Sequence, residues 1–195
     1  TSAAINWSVN AVNQTPFAWT GSLATQTSLP NINIGTYNFL AGNTYNVKVW
    51  TSNPNGVADQ LNANDTLEVQ VCVALNGLYT VGGVGADYAT VNDAVAALVC
   101  GGVSGAVTMR LNAGAGPFNE QVIIPAIPGA SATRTVRFTG GAGRETITFG
   151  ATTTTQRAVI KLIGAKHVIL DSLTIINTGT SFGYGVQLTA AADSN

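Results

Sequence analysis

Nine carboxylates are available to this 195-residue chain: Asp59, Asp65, Glu68, Asp87, Asp93, Glu120, Glu145, Asp171 and Asp193. A pair held at a fixed separation can act as general acid and base. No pair here has a spacing that argues for such work. Asp93 falls three residues after Thr90, where it reads as part of a helix cap. Asp171 stands beside Ser172 at the corner between two short apolar runs. The single histidine, His167, lies inside a strand-like run, and nothing else supports it as the base for a cysteine nucleophile. One loop, 53–65, concentrates oxygen donors in Asn53, Asn55, Asp59, Asn62, Asn64 and Asp65. Oxygen ligands at such intervals suit Ca²⁺, with Asp59 and Asp65 as the charged candidates. The competing reading is a solvated turn whose Asn and Asp side chains cap their own backbone. Lys161, Lys166 and Arg157 offer charge to an anionic sugar, or guard strand edges against aggregation.

The two cysteines, Cys72 and Cys100, have no second Cys or His at metal-ligand spacing. Cys72 closes the last strand-like run of the first segment, and Cys100 closes a helical run. A disulfide between them would clamp the junction of the two segments and stabilise by ~3–4 kcal/mol in the chain-entropy model. The alternative is two buried free thiols. Disulfides belong to oxidising compartments, and the composition points the same way. Charged residues make up 9% of the chain, against about 25% in an average domain. Thr, Asn and Gly are abundant, as is common in secreted β proteins. The net charge is −1 and no basic patch is visible, so nothing marks a nucleic-acid partner. No apolar run is long enough to span a membrane. No signal peptide is visible at Thr1, so the expectation is a mature or excised fragment.

Those residues must be held by two kinds of segment. The first, 1–75, has short runs that alternate with period 2: 5–9, 17–23, 32–34, 45–49 and 67–71. Turn signals at 13–16, 41–43 and 52–56 separate them. This pattern predicts an immunoglobulin-like β-sandwich. The second, 76–195, opens with a β-type run at 78–81 and then one helix, expected at 91–99. Thr90 is its N-cap, Asp93 the third residue of an approximate capping box, and Gly101-Gly102 its stop. Val91, Val95, Leu98 and Val99 fall at helical spacing. The later runs are longer and β-branched: 107–111, 122–127, 135–138, 146–149, 159–163, 167–176 and 185–188. Gly or Asn punctuates nearly every one. Parallel strands lining the inside of a coil read this way, and the helix would plug its open end. In 161–178 the alternation turns Val168, Leu170, Leu173 and Ile175 inward, with a kink near Asp171-Ser172. Asn177 would start an inward Asn ladder. The predicted fold is therefore all-β: a sandwich of 1–75, then the first coils of a right-handed parallel β-helix over 76–195 with one capping α-helix.

Gly-Ala-Asp-Tyr-Ala-Thr at 85–90, the helix, and Gly-Pro-Phe-Asn-Glu-Gln-Val-Ile-Ile-Pro at 116–125 resemble the opening of pectin-methylesterase-like right-handed β-helices. Residues 163–177 are similar to a later coil of that superfamily. The whole chain, with Val-Trp-Thr-Ser-Asn-Pro-Asn-Gly at 49–56, resembles the surface proteins of Bacteroidetes that join an immunoglobulin-like module to a β-helix opening. Such proteins include gliding adhesins exported by the type IX secretion system. The resemblance implies a secreted, cell-surface location, contact with secretion machinery and surface polysaccharide as a ligand. It also implies O-glycosylation at Asp65-Thr66-Leu67 and Asp171-Ser172-Leu173, with Thr66 and Ser172 as acceptors. The esterases of the superfamily place two Asp, a Gln and an Arg in a groove of later coils, and none of these maps onto this sequence.

The expected role is a non-catalytic structural or adhesive segment of a large surface protein. The alternatives are the start of a carbohydrate-active β-helix enzyme, a lyase or esterase with its site beyond Asn195, and a carbohydrate-binding module. Further coils of the same chain, or another chain, are expected to cover the C-terminal edge, since a bare edge exposes unpaired N–H and C=O groups.

Overall fold

The computed structural model describes residues 1–24, 26–59, 65–180 and 183–195. Fifteen strands and a single α-helix among these residues make the protein all-β. It divides into two compact units, Thr1–Cys72 and Val73–Asn195.

The first unit is an antiparallel sheet. Its strands are β1 (Ser2–Val9), β2 (Val12–Asn13), β3 (Phe17–Thr20), β4 (Thr44–Ser52) and β5 (Thr66–Cys72). β1 pairs with β4 on one side and with β2 and β3 on the other, and β5 adds to β4. β1 and β2 form a hairpin whose two-residue turn, Asn10-Ala11, takes positive φ at both positions (48° and 64°), as a type I′ turn requires. One face is apolar: Trp7, Val9 and Tyr45 are buried on it. The run 32–34, expected as a strand, forms none. Asn33 Oδ1 instead accepts the Gly35 N–H at 3.0 Å, a local bond that competes with a ladder. Gly35 lies flat on Trp7, where a Cβ would stand 2.6 Å from the indole. Tyr37 and Phe39 meet Tyr45 edge-to-face, centroids 5.8 and 5.0 Å apart. Loop residues thus cover the apolar face where a sandwich would place its second sheet.

The second unit begins with β6 (Leu75–Val81), α1 (Val91–Gly101) and β7 (Val103–Leu111). β8 (Phe118–Asn119), β9 (Val122–Pro125), β10 (Val136–Thr139), β11 (Thr146–Phe149) and β12 (Ala158–Ile163) follow. β13 (Val168–Asp171), β14 (Thr174–Asn177) and β15 (Tyr184–Thr189) complete it. Every strand pair between named strands here is parallel. The ladders are β6-β7-β10-β13, β8-β11-β14 and β9-β12-β15. From β7 onward the chain visits the three ladders in the same order three times. Register stacks like on like: Val107, Val136 and Val168 in one column, Met109, Phe138 and Leu170 in another, Ile124, Leu162 and Leu188 in a third. β-branched and large apolar residues at alternate positions suit such half-buried ladders, and their inward sides form one core.

The helix starts where the sequence predicts and runs two residues further than expected. Val91, Ala94, Val95 and Leu98 are its buried residues. Val99 is exposed, and Ala94, a turn away, takes its expected place. Leu170, Leu173 and Ile175 pack against the core, and Ser172 makes the kink at φ 50°. No Asn ladder forms among the described residues: Asn177 pairs in register with Phe149. Its side chain binds the carbonyls of Arg157 and Tyr184 and the Gly179 N–H, so it satisfies a turn.

Candidate functional site

The two cysteines form a disulfide, Cys72–Cys100. No thiol is therefore present for His167 to activate. That histidine sits at φ 59° between β12 and β13, with its N–H on the Ser194 carbonyl and its carbonyl on the Val136 N–H.

The carboxylates of the second unit are bound to its own framework. Glu120 reaches α1, its Oε1 accepting the Val91 N–H and its Oε2 the Asn92 N–H, both at 2.9 Å. Helix N-termini leave such amides without intrahelical partners, and a negative charge there is favoured by the helix dipole. Thr90 and Asp93 complete the capping box, each side chain accepting the other's N–H at 3.0 Å. Glu145 is buried and accepts the Gly114 N–H at 2.8 Å and the Gly116 N–H at 3.1 Å. Glycines make room for it: a Cβ at Gly116 or Gly143 would stand 2.8 Å from its oxygens. Asp87 Oδ2 accepts both the N–H and the hydroxyl of Thr80 at 2.7 Å. Those bonds, the backbone one first, hold its carboxyl below the ordinary value of 3.8. Asp171 pairs with Arg137 at 2.9 Å and accepts the Ser172 hydroxyl at 3.1 Å.

The proposed sugar-binding cations are engaged separately. Lys166 pairs with Asp193 at 2.9 Å. Arg157 donates to the Thr154 carbonyl and lies over the Tyr184 ring. Lys161 stands in β12, in register with Ile123 and Gln187.

In the first unit, Asp59 and Asp65 come together. The Asp65 carboxyl is raised above 3.8, chiefly by a hydrogen bond with Asp59, then by burial and by the Asp59 charge, while Thr51 pulls the other way. Two carboxyls in that relation favour holding a proton between them, whereas Ca²⁺ wants both ionised. Asn62 and Asn64 of the expected donor set lie outside the described residues. Among the described residues no group of three or more His, Cys, Asp or Glu is placed to hold a metal ion.

The mixed chemistry of a binding surface gathers on the polar face of the same sheet. Register sets Ser8, Lys48 and Glu68 in one row, with Asn13 beside Ser8, and Asn6, Trp50 and Thr66 in the next. A groove of about 300 Å³ is lined by Ser8, Ala11, Asn13, Lys48, Trp50 and Thr66. The Lys48 ammonium lies 5.9 Å from the Trp50 ring centroid. The ion pairs found among the described residues, Arg137–Asp171 and Lys166–Asp193, leave Lys48 out. Glu68, its neighbour in the row, accepts from Asn46 Nδ2 at 2.6 Å. Period-2 alternation from Tyr45 onward already puts Lys48 and Trp50 on one face; the position of Ser8 and Asn13 depends on cross-strand register, which the sequence does not display.

No family model, curated protein or solved structure matches this chain. Among the described residues no helix is long and apolar enough to cross a membrane.

Proposed function

We propose that the chain is a non-catalytic structural or adhesive segment of a large secreted cell-surface protein, of the type IX-exported adhesin kind. In this reading the first unit is an immunoglobulin-like module. The second is the start of a right-handed parallel β-helix with α1 as its cap. The observation that carries the proposal is the employment of the acidic side chains. Glu120, Glu145 and Asp87 all bind backbone amides, so they hold turns and the helix rather than face a substrate. The three-ladder order supports the coil, and the disulfide supports an oxidising compartment. Exposure of Ser172 supports it as a glycan acceptor, while Thr66, also exposed, lines the groove on the first unit's sheet and is left unmodified in this reading. On the last strand of its ladder, Tyr184, Val186 and Leu188 are exposed, which supports further coils of the same chain, or another chain, as the partner there.

The reading is tested in two ways. Protease treatment of intact source cells should remove the epitope of an antibody raised against 76–195; an epitope that stays protected until the cells are lysed overturns the surface location. Purified protein should release neither methanol nor unsaturated product from pectin. Turnover that disappears in Asp171→Asn or Glu120→Gln would refute the non-catalytic role.

A further inference from the structure

We infer that the groove on the polar face of the first unit's sheet binds a pyranose sugar carrying a carboxylate. This deepens the adhesive half of the proposed function, on which it rests, by naming a ligand class. Three features carry the inference. Trp50 is only partly buried and forms one wall of the groove. An indole face is electron-rich, and the axial C–H edge of a sugar ring packs on it. Such a ring on a strand costs little entropy when a ligand orders against it.

The second feature is the polar lining. Ser8 is 4% exposed and lines the groove, at its floor between β2 and β4. Asn13 and Thr66 add an amide and a hydroxyl at the rim. A few convergent polar groups around one apolar wall are the usual make-up of a small-molecule site. The volume, about 300 Å³, suits one sugar residue better than an extended chain.

Charge supplies the third. Lys48 is exposed, projects over the indole and has no carboxylate pairing with it among the described residues. An ammonium over an aromatic face draws modest stabilisation from the ring alone. A sugar that stacks on Trp50 displaces the ammonium from the ring face, and a ring carboxylate at its edge offers the displaced ammonium an ion pair in exchange. A neutral pyranose would gain the stacking without the pair. The groove therefore ranks acidic above neutral sugars.

The test compares methyl glucuronide with methyl glucoside by NMR titration of the full chain, following the Trp50 indole N–H, assigned by its loss in Trp50→Phe. Peptide mass analysis should show Thr66 unmodified; a glycan there would fill the groove and overturn the inference. The acidic sugar should shift the Trp50 resonance saturably, and the neutral one more weakly. Lys48→Gln, an exposed change that leaves the sheet intact, should weaken the acidic sugar by about three- to five-fold and leave the neutral sugar unchanged, as expected for one exposed ion pair. Asn13→Ala, which keeps the Trp50 reporter, should weaken both sugars alike. No Trp50 shift with either sugar, or equal affinities that Lys48→Gln does not alter, would overturn the inference. Neither outcome would bear on the surface location or the missing turnover, which the protease and pectin experiments decide.

Discussion

Glu120 shows how one side chain can serve an element far from it in sequence. It lies 29 residues from Val91, yet supplies both oxygens to the first turn of α1. The capping box of Thr90 and Asp93 is legible in the sequence because its partners are three residues apart and the rule is local. The Glu120 bonds are not, since their existence depends on where β8 and β9 run past the helix. In the sequence Glu120 belongs only to a resemblance. Glu145 is equally silent there: Gly143, Arg144 and the following β run give no hint that a carboxylate will bury itself against Gly114 and Gly116. Glu120→Ala should destabilise the protein by about 1–2 kcal/mol, the range for loss of a strong helix cap. Glu120→Gln should recover part of that, since an amide oxygen accepts one bond but carries no charge for the dipole. Urea denaturation followed by circular dichroism measures both. Equal stability of wild type and Glu120→Ala would show that the two 2.9 Å bonds add nothing to the fold.

At the scale of elements, the reading succeeds where period and punctuation agree. The Leu111 end of β7, the whole of β11 and the corner at Ser172 all fall where alternating apolar residues meet Gly, Asn or Ser. It fails where side chains recruit the backbone. Ile32 and Ile34 alternate like a strand, but Asn33 binds the Gly35 N–H and Gly35 must lie against Trp7. The short β2 is hidden because Asn10-Ala11 is an unusual hairpin turn, with Ala rather than Gly at positive φ. The turn after β6 carries a pH signature. Asp87 is tied to Thr80 by two bonds and its carboxyl titrates below 3.8. In the unfolded chain it regains its ordinary value. Its contribution is thus complete above that value and disappears as pH falls through the lower, folded one. Wild-type stability should drop on acidification from about pH 5 to pH 2. Asp87→Asn should show a smaller drop, with the stabilities of the two proteins converging at the acid end. A parallel decline of both proteins would assign the acid sensitivity to other carboxylates.

At the scale of the whole second unit, position along a column decides what a residue is worth. Ile124, Leu162 and Leu188 stand in register on three successive strands of one ladder. Their chemistry is nearly the same, but their exposures are 1%, 2% and 53%. The two ends of the column differ in what covers them. α1 packs against β6 and β9, so the core is covered on the side where the chain enters it, while β15 presents Val186 and Leu188 to solvent. Sequence alone could not rank these three residues, because all lie in apolar runs of similar length; only register and the count of strands above and below separate them. Leu162→Ala should cost roughly 2–5 kcal/mol, as truncation of a fully buried leucine does. Leu188→Ala should cost under about 1 kcal/mol, since little of its area leaves water here. The pair also tests what covers β15. When a further parallel strand lies on that edge, from the same chain in a longer form or from another chain, Leu188 acquires the surroundings of Leu162. Its truncation should then cost as much, and the difference between the two positions should close. Thermal or urea unfolding of both variants, with and without the extension, measures this directly. A large loss at Leu188 in the 195-residue chain itself would mean that the end of the column is already covered, and the register drawn for β12 and β15 would have to be revised.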